Sequence, residues 1–273
     1  MTTTVRGQST IWSMRGLIWN FARRDLKSRF KGTALGWAWS LVVPLSTLLI
    51  YTIVFAVIFR IEPPPLGNGR PGNFTLFLFA GLVVWTVFAN GINTGILSLL
   101  TTGGLLKKVY FPSYAPVLGS VIAVLAQSAI EVGVLLAIMV VLGNTSWTYL
   151  LVLPWAVLFV CFLSGLVHAL AVLNVVFRDL SHIISVVLQL LFYLTPIIYS
   201  LSFIPEAWQG IPLRRIIGAN PLTEFVTAFR NCVYDLTPPG FATWIALAAW
   251  TAVAVGFGVL VHRKLGLDLG ERL

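Results

Sequence analysis

The chain has 273 residues, of which 58% are hydrophobic and only 10% charged, with a mean hydropathy of +0.91. A soluble domain carries about 25% charged residues, so this balance excludes one and describes a chain that lives in lipid. The net charge of +9 is the kind a nucleic-acid binder carries. In so apolar a chain it instead orients spans and attracts anionic headgroups, and no nucleic-acid partner is expected.

In chain order, the first ten residues are polar, and no small-residue cleavage site follows them. A removed secretory signal is therefore not expected, and the first span serves as its own insertion signal. Ile11, Met14, Ile18, Phe21 or Ala22, Leu26 and Phe30 then recur at helical spacing, with Arg15, Arg23, Arg24, Lys27 and Lys31 on the remaining circumference. This predicts an amphipathic helix on the membrane surface that touches lipid and a cytoplasmic partner. A plain basic flank that orients the first span is the alternative.

Six apolar stretches follow, over residues 35–59, 74–99, 116–142, 148–176, 183–201 and 241–261. Each meets or nearly meets the ~20 residues needed to cross about 30 Å of hydrocarbon. The expected architecture is an all-α integral membrane fold, one domain over 1–273 with a basic N-terminus over 1–32 and a tail over 262–273. Thirteen of the eighteen Lys and Arg fall in the N-terminus, the second and fourth gaps and the tail. Both termini are thus expected in the cytoplasm.

The connections differ in character. Residues 60–73 contain Pro63, Pro64, Pro65, Gly67, Gly69, Pro71 and Gly72, too many breakers for a helix, and read as an outer loop. Between Gly103–Gly104 and Pro112, the run Leu105, Leu106, Lys107, Lys108, Val109, Tyr110, Phe111 suits one or two helical turns. It is either a simple turn or a docking knob whose apolar side chains gain by burial in a partner's groove. The forty residues between spans five and six predict two short helices that dip into the outer leaflet or rest upon it. Asn220 and Pro221 are a cap and first position, and Leu222, Phe225, Val226, Phe229 and Val233 make one apolar stripe. Such helices dip only if their ends are buried in protein or face water.

Little displays catalytic chemistry. There are nine carboxylates, with only Glu131 inside a span, three scattered histidines, and no metal or phosphate-loop motif. No catalytic residue, metal ligand or bound cofactor is expected in this chain, and the usual ATP-hydrolysing apparatus is missing. Glu131, with Gln127 one turn earlier, is a hydrogen-bonding group, a substrate or gating group, or a proton-coupling group, since a carboxylate in hydrocarbon faces a bundle interior or water. His168 carries the same ambiguity. Asn90, Asn93 and Gln189 read as helix-gluing polar groups. Cys161 and Cys232 form no redox or metal spacing. The Arg178–Asp179 pair at the end of span four caps a helix, bridges to the Arg23–Arg24–Asp25 region or meets a partner.

Four segments in register with the six spans carry a resemblance: Arg24 to Gly32 followed by Leu35, Gly36, Trp37 and Trp39; Leu105 to Pro112; Val176, Phe177, Arg178 and Asp179; and Asn220, Pro221 and Leu222. Together they resemble the membrane subunit of bacterial polysaccharide ABC exporters, the type-2 permease class that carries O-antigen, teichoic acid and related lipid-linked glycans. The Pro-rich first outer loop departs mildly from that pattern. The resemblance implies a homodimer in the cytoplasmic membrane joined to two copies of a separate ATPase that binds ATP and Mg, with spans one and five lining a channel for a polyprenyl-linked polysaccharide. It further implies ATPase docking through Arg23, Arg24, Lys27, residues 105–112, Arg178 and Asp179. The outer gate would hold Asn220, Pro221, Leu222, Phe225 and Phe229. Aromatic residues on the implied lining spans, Trp37, Tyr51, Phe55, Phe192, Tyr193 and Tyr199, are candidates to stack on sugar C–H faces. The excess of Arg over Lys and the abundance of Ala and Val suit a high-GC genome, and within the family the chain looks most like the branch associated with actinobacterial cell-wall galactan. A drug or lipid exporter permease and a membrane-embedded glycosyltransferase are the rival classes.

Overall fold

The computed structural model describes residues 14–30, 32, 36–106, 111–266 and 269. Its elements are α1 (Arg15–Phe30), α2 (Trp39–Tyr51) running into a π-helical stretch (Thr52–Ile58), α3 (Phe74–Gly95), α4 (Ser98–Leu106), α5 (Tyr114–Val141), α6 (Val152–Val176), α7 (Leu180–Leu194), α8 (Leu213–Gly218), α9 (Pro221–Val233) and α10 (Phe241–Leu265). Among the described residues no strand occurs beyond an isolated bridge between Trp208 and Ile211. Long Leu, Val, Ala and Phe runs propagate these helices. Pro116, Pro154 and Pro221 sit in first turns, where a missing N–H costs least.

Five helical stretches are long and apolar enough to cross a bilayer: Leu41–Ile58, Phe74–Leu105, Tyr114–Val141, Trp147–Val176 and Phe241–Leu265. The bundle therefore has two ends. One holds α1, α4 and the α6–α7 turn; the far end holds the 59–73 loop and residues 195–240.

The expected span over 183–201 differs. Its helix, α7, starts at Leu180 and stops after 15 residues at Leu194, about 22 Å at ~1.5 Å per residue, short of a full crossing. Pro196 is the reason: it forces Thr195 to an extended φ of −99° and ψ of 134°. The expected pair of short helices also changes. The second is α9, but in place of the first the chain makes a 3-10 turn (Leu201–Phe203), a tight turn at 208–211 and the six-residue α8. Pro205, Gly210 and Pro212 interrupt anything longer.

α3 is the hub, packed by α5, α6 and α9. Its buried face runs without a gap from Leu76 to Val84. α6 and α10 make the closest helix pair. A Cβ on Gly165 would strike the Val255 backbone, and one on Gly258 would strike the Gly165 carbonyl, the small-residue contact that lets helices approach in lipid. The amphipathic pattern of α1 buries Ile18, Phe21 and Ala22. That apolar stripe lies on α5, where Ala115, with Phe111 just ahead of the helix, completes the cluster, and Trp19 stays 58% exposed.

Candidate functional site

Three regions hold the residues singled out by the sequence. The first is a cavity of about 490 Å³ between α2, α3, α5 and α7, lined by Tyr51, Phe192, Trp39, Trp85, Thr86, Asn90, Gln127 and Glu131, among others. Helical spacing builds its polar wall: Thr86 and Asn90 are four apart on α3, Gln127 and Glu131 four apart on α5, so each pair shares a face. The Thr86 hydroxyl lies 2.9 Å from Glu131 Oε2, and Glu131 is only 1% exposed.

Aromatic rings extend from this cavity toward the far end. Tyr51 lies 6.0 Å from both Phe55 and Phe192, Trp85 lies 5.4 Å from Phe192, and Phe192 meets Tyr193 at 5.2 Å edge-on. The structure thus gathers Tyr51, Phe55, Phe192 and Tyr193 on one side of the bundle. Tyr199 joins them by donating its hydroxyl to the Tyr193 carbonyl at 2.8 Å. The backbone of Trp37 lies in a 3-10 turn (Gly36–Ala38) just before α2. The π-helical stretch Thr52–Ile58, which carries Phe55, was not foreseen; π turns recur at functional sites because they re-aim side chains.

The second region is the segment over residues 195–240 at the far end. The Asn220 side chain accepts from the Leu222 N–H at 3.0 Å, capping α9 with Pro221 at its first position, and its amide donates to Thr195 Oγ1 at 3.0 Å. Leu222, Phe225 and Phe229 are all buried. Trp155, Phe159 and Phe162 of α6 surround them, and Trp155 Nε1 donates to the Phe225 carbonyl at 3.0 Å. The gate candidates therefore form a helix keyed into α6, with its apolar stripe turned inward.

Arg230 holds this segment. Counted among the outer charges, it is buried, and its guanidinium donates to the carbonyls of Phe77 at 3.1 Å, Pro196 at 2.6 Å, and Ile197. It also lies 3.7 Å over the Phe77 ring. The bonds to Pro196 and Ile197 satisfy carbonyls that the break after α7 leaves without helical partners, and the bond to Phe77 ties them to the first turn of α3. Gly81 makes the room, since a Cβ there would meet the guanidinium. Asp235 lies alongside; burial pushes its carboxyl up to about 6, against the pull of Arg230. Two further residues hold the far end. Asn144 donates to the carbonyls of Val233 and Tyr234 and accepts from the Asn68 N–H, while Tyr234 donates to the Pro64 carbonyl. These bonds tie three far-end loops into one body.

The third region lies at the α1 end. Arg23, Arg24 and Lys27 are exposed; Arg24 pairs with Asp25 at 3.2 Å and lies 5.1 Å over the Phe21 ring. Leu105 is exposed at the end of α4, which also contains Leu106. Lys107, Lys108, Val109 and Tyr110 lie outside the described residues. Phe111 departs from the docking expectation: it is buried with its ring 5.3 Å from that of Phe21, and Pro112 is half-buried beside it. Its ring closes the α1–α5 seam because an aromatic side chain gains more from that cluster than from water. Arg178 and Asp179 are exposed, and Asp179 makes no side-chain capping bond to α7. Asn174 serves instead, accepting from the Ser181 N–H at 3.1 Å and donating to the Ile96 carbonyl. His168 is half-buried, its ring 5.1 Å from that of His262, which lies 3.4 Å from the Ser113 hydroxyl.

Comparison with known proteins points the same way. The family model described as ABC-2 type transporter matches residues 16–234. The chain is 30% identical over 245 residues to the O-antigen export system permease protein RfbA of Myxococcus xanthus, covering 89% of this chain and 90% of that one. It is 31% identical over 211 residues to the protein of the same name from Klebsiella pneumoniae, covering 76% of each. It is 24% identical over 254 residues to the polysialic acid transport protein KpsM of Escherichia coli, covering 88% of this chain and 90% of that one. A multi-pass chain with these spans, matched by the family model over most of its length, belongs to the ABC-2 type transporter family, as a transporter membrane subunit and not an enzyme.

Proposed function

We propose that this chain is the permease subunit of an ATP-driven exporter that carries a polyprenyl-linked polysaccharide across the bacterial cytoplasmic membrane, with a cell-wall galactan as the favoured cargo. The observation that carries the reading is the near full-length likeness to relatives named for O-antigen export and polysialic acid transport. Geometry supports it. A polar glycan cannot cross hydrocarbon, so its conduit must present rings for sugar faces and polar groups for hydroxyls. The cavity between α2, α3, α5 and α7 and the aromatic row beside it offer both.

In this reading the 273 residues form a single membrane domain with both termini in the cytoplasm. Two copies pair along α2 and α7, and two copies of a separate ATPase bind ATP and Mg. The exposed Arg23, Arg24, Lys27, Leu105, Arg178 and Asp179, together with residues 106–110, meet that ATPase. Nucleotide-driven closure of the partners shifts these elements, and the shift reaches the seam only if the two nucleotide states bind them differently. Asn220, Pro221, Leu222, Phe225 and Phe229 move with α6 as part of an outer gate.

Depleting the chain in its host tests this. Lipid-linked glycan should accumulate on the cytoplasmic face while surface glycan falls. Unchanged surface glycan, with no accumulation, would remove the export reading.

A further inference from the structure

We propose that the cavity beside α2 is a saccharide subsite, in which Glu131, Thr86, Asn90 and Gln127 bind the hydroxyls of one sugar unit and Trp39 and Trp85 pack on its C–H faces. The inference rests on the export reading and adds the place and chemistry of a binding site to it.

The polar wall is the starting point. Helix gluing accounts for the bond from Thr86 to Glu131. It does not account for a cavity of about 490 Å³ held open beside them, a volume within the ~300–1,000 Å³ of small-molecule sites. Thr86 has one hydroxyl proton and two acceptors within reach, the Val83 carbonyl at 3.0 Å and Glu131 at 2.9 Å. A carboxyl carries two oxygens with several acceptor sites, more than one hydroxyl donor can fill, so Glu131 retains capacity toward the cavity. A carboxylate deep in a span is expensive and is kept where a ligand or water meets it.

Ligand class follows from the mixture of groups. A carboxyl accepts, amides donate and accept, and a threonine hydroxyl does both. Sugar hydroxyls match that mixture, and the two indoles offer apolar faces for the other side of a pyranose ring. An organic cation would call for acceptors and rings without amide donors, and an acyl chain would call for neither. Tyr51 and Phe192 line both this cavity and the aromatic row, so the subsite opens onto the proposed conduit.

The test uses the permease with its ATPase partner in lipid nanodiscs, reading tryptophan fluorescence during titration with a neutral galactotetraose and, separately, with tetraphenylphosphonium. The tetrasaccharide should give a saturable change. Glu131→Gln, which keeps the shape, and Asn90→Ala should each weaken it at least about fivefold, the size of one lost neutral hydrogen bond. Trp39→Ala, at a partly exposed position, should weaken it and remove part of the signal. No saturable change with sugar, equal affinity in all variants, or saturation by the cation alone overturns the proposal. The depletion experiment stands apart. Glycan accumulation together with sugar binding indifferent to Glu131→Gln sinks the subsite and leaves export standing; sugar binding without accumulation does the reverse.

Discussion

Two apolar helices of similar composition meet opposite fates here. In the span that includes α3, 72% of its most apolar window is buried within the chain; in the first span, which includes α2, 6% is. α7 resembles α2, with Leu188 as its buried residue. Hydropathy cannot separate these helices, because lipid and a protein neighbour reward the same side chains. Small residues and buried polar contacts do separate them. α3 has Gly81, Gly91 and Gly95 against Arg230, Leu163 and Val167, whereas α2 and α7 leave Leu49, Ile50, Val186 and Leu190 exposed. The helices least enclosed by their own chain are those with faces to offer to a second copy, a glycan or lipid.

Damage to the enclosed region should break the fold, and damage to the α2–α7 side should spare the fold and slow transport. Arg230→Met is expected to have the largest effect, because three buried carbonyls lose a charged donor. A destabilisation of about 3 kcal/mol or more should appear as a lower thermal midpoint of the purified protein. Gly165→Val should follow at about 2 kcal/mol, since its methyls meet the α10 backbone, read by the same melt. Tyr51→Ala and Phe192→Ala should reduce glycan export about fivefold, the worth of one aromatic contact, while shifting the midpoint little. A large fall in stability with either would erase the contrast between the two regions.

A last effect is confined to a pH window. The Asp235 carboxyl titrates near 6 in the folded chain and at 3.8 when unperturbed. The folded state therefore holds the extra proton between those values, and stability falls as pH rises through that window. Asp235→Asn should flatten the slope, a change of a few degrees in midpoint between pH 4 and 7. An unchanged slope would assign it to another group.

Much of this was legible in the sequence, and what was hidden shares a cause. The five full spans, the Asn220–Pro221 start of α9 and the inward stripe of Leu222, Phe225 and Phe229 follow from local spacing. The stop at Leu194 was written in Pro196 but overridden by the apolar run through 201. The sequence reading placed Arg230 as an outer charge; only the distant carbonyls of Phe77, Pro196 and Ile197 make it a buried strut. Asn144, Asn174 and Tyr234 were silent for the same reason, since their partners lie across the bundle. Helical spacing pairs Gln127 with Glu131 in the sequence, whereas Thr86 and Asn90 join them only where α3 lies against α5. Phe111 sits in a run that reads as a protruding knob, and its burial depends on Phe21, ninety residues earlier.

The central claim is that the α2–α7 side carries the glycan. A photo-crosslinking amino acid at Phe192, irradiated while export is arrested, tests it most directly, with Val253 on the exposed side of α10 as control. A glycan adduct from position 192 and none from 253 is the predicted result; an adduct from 253 with none from 192 would contradict it.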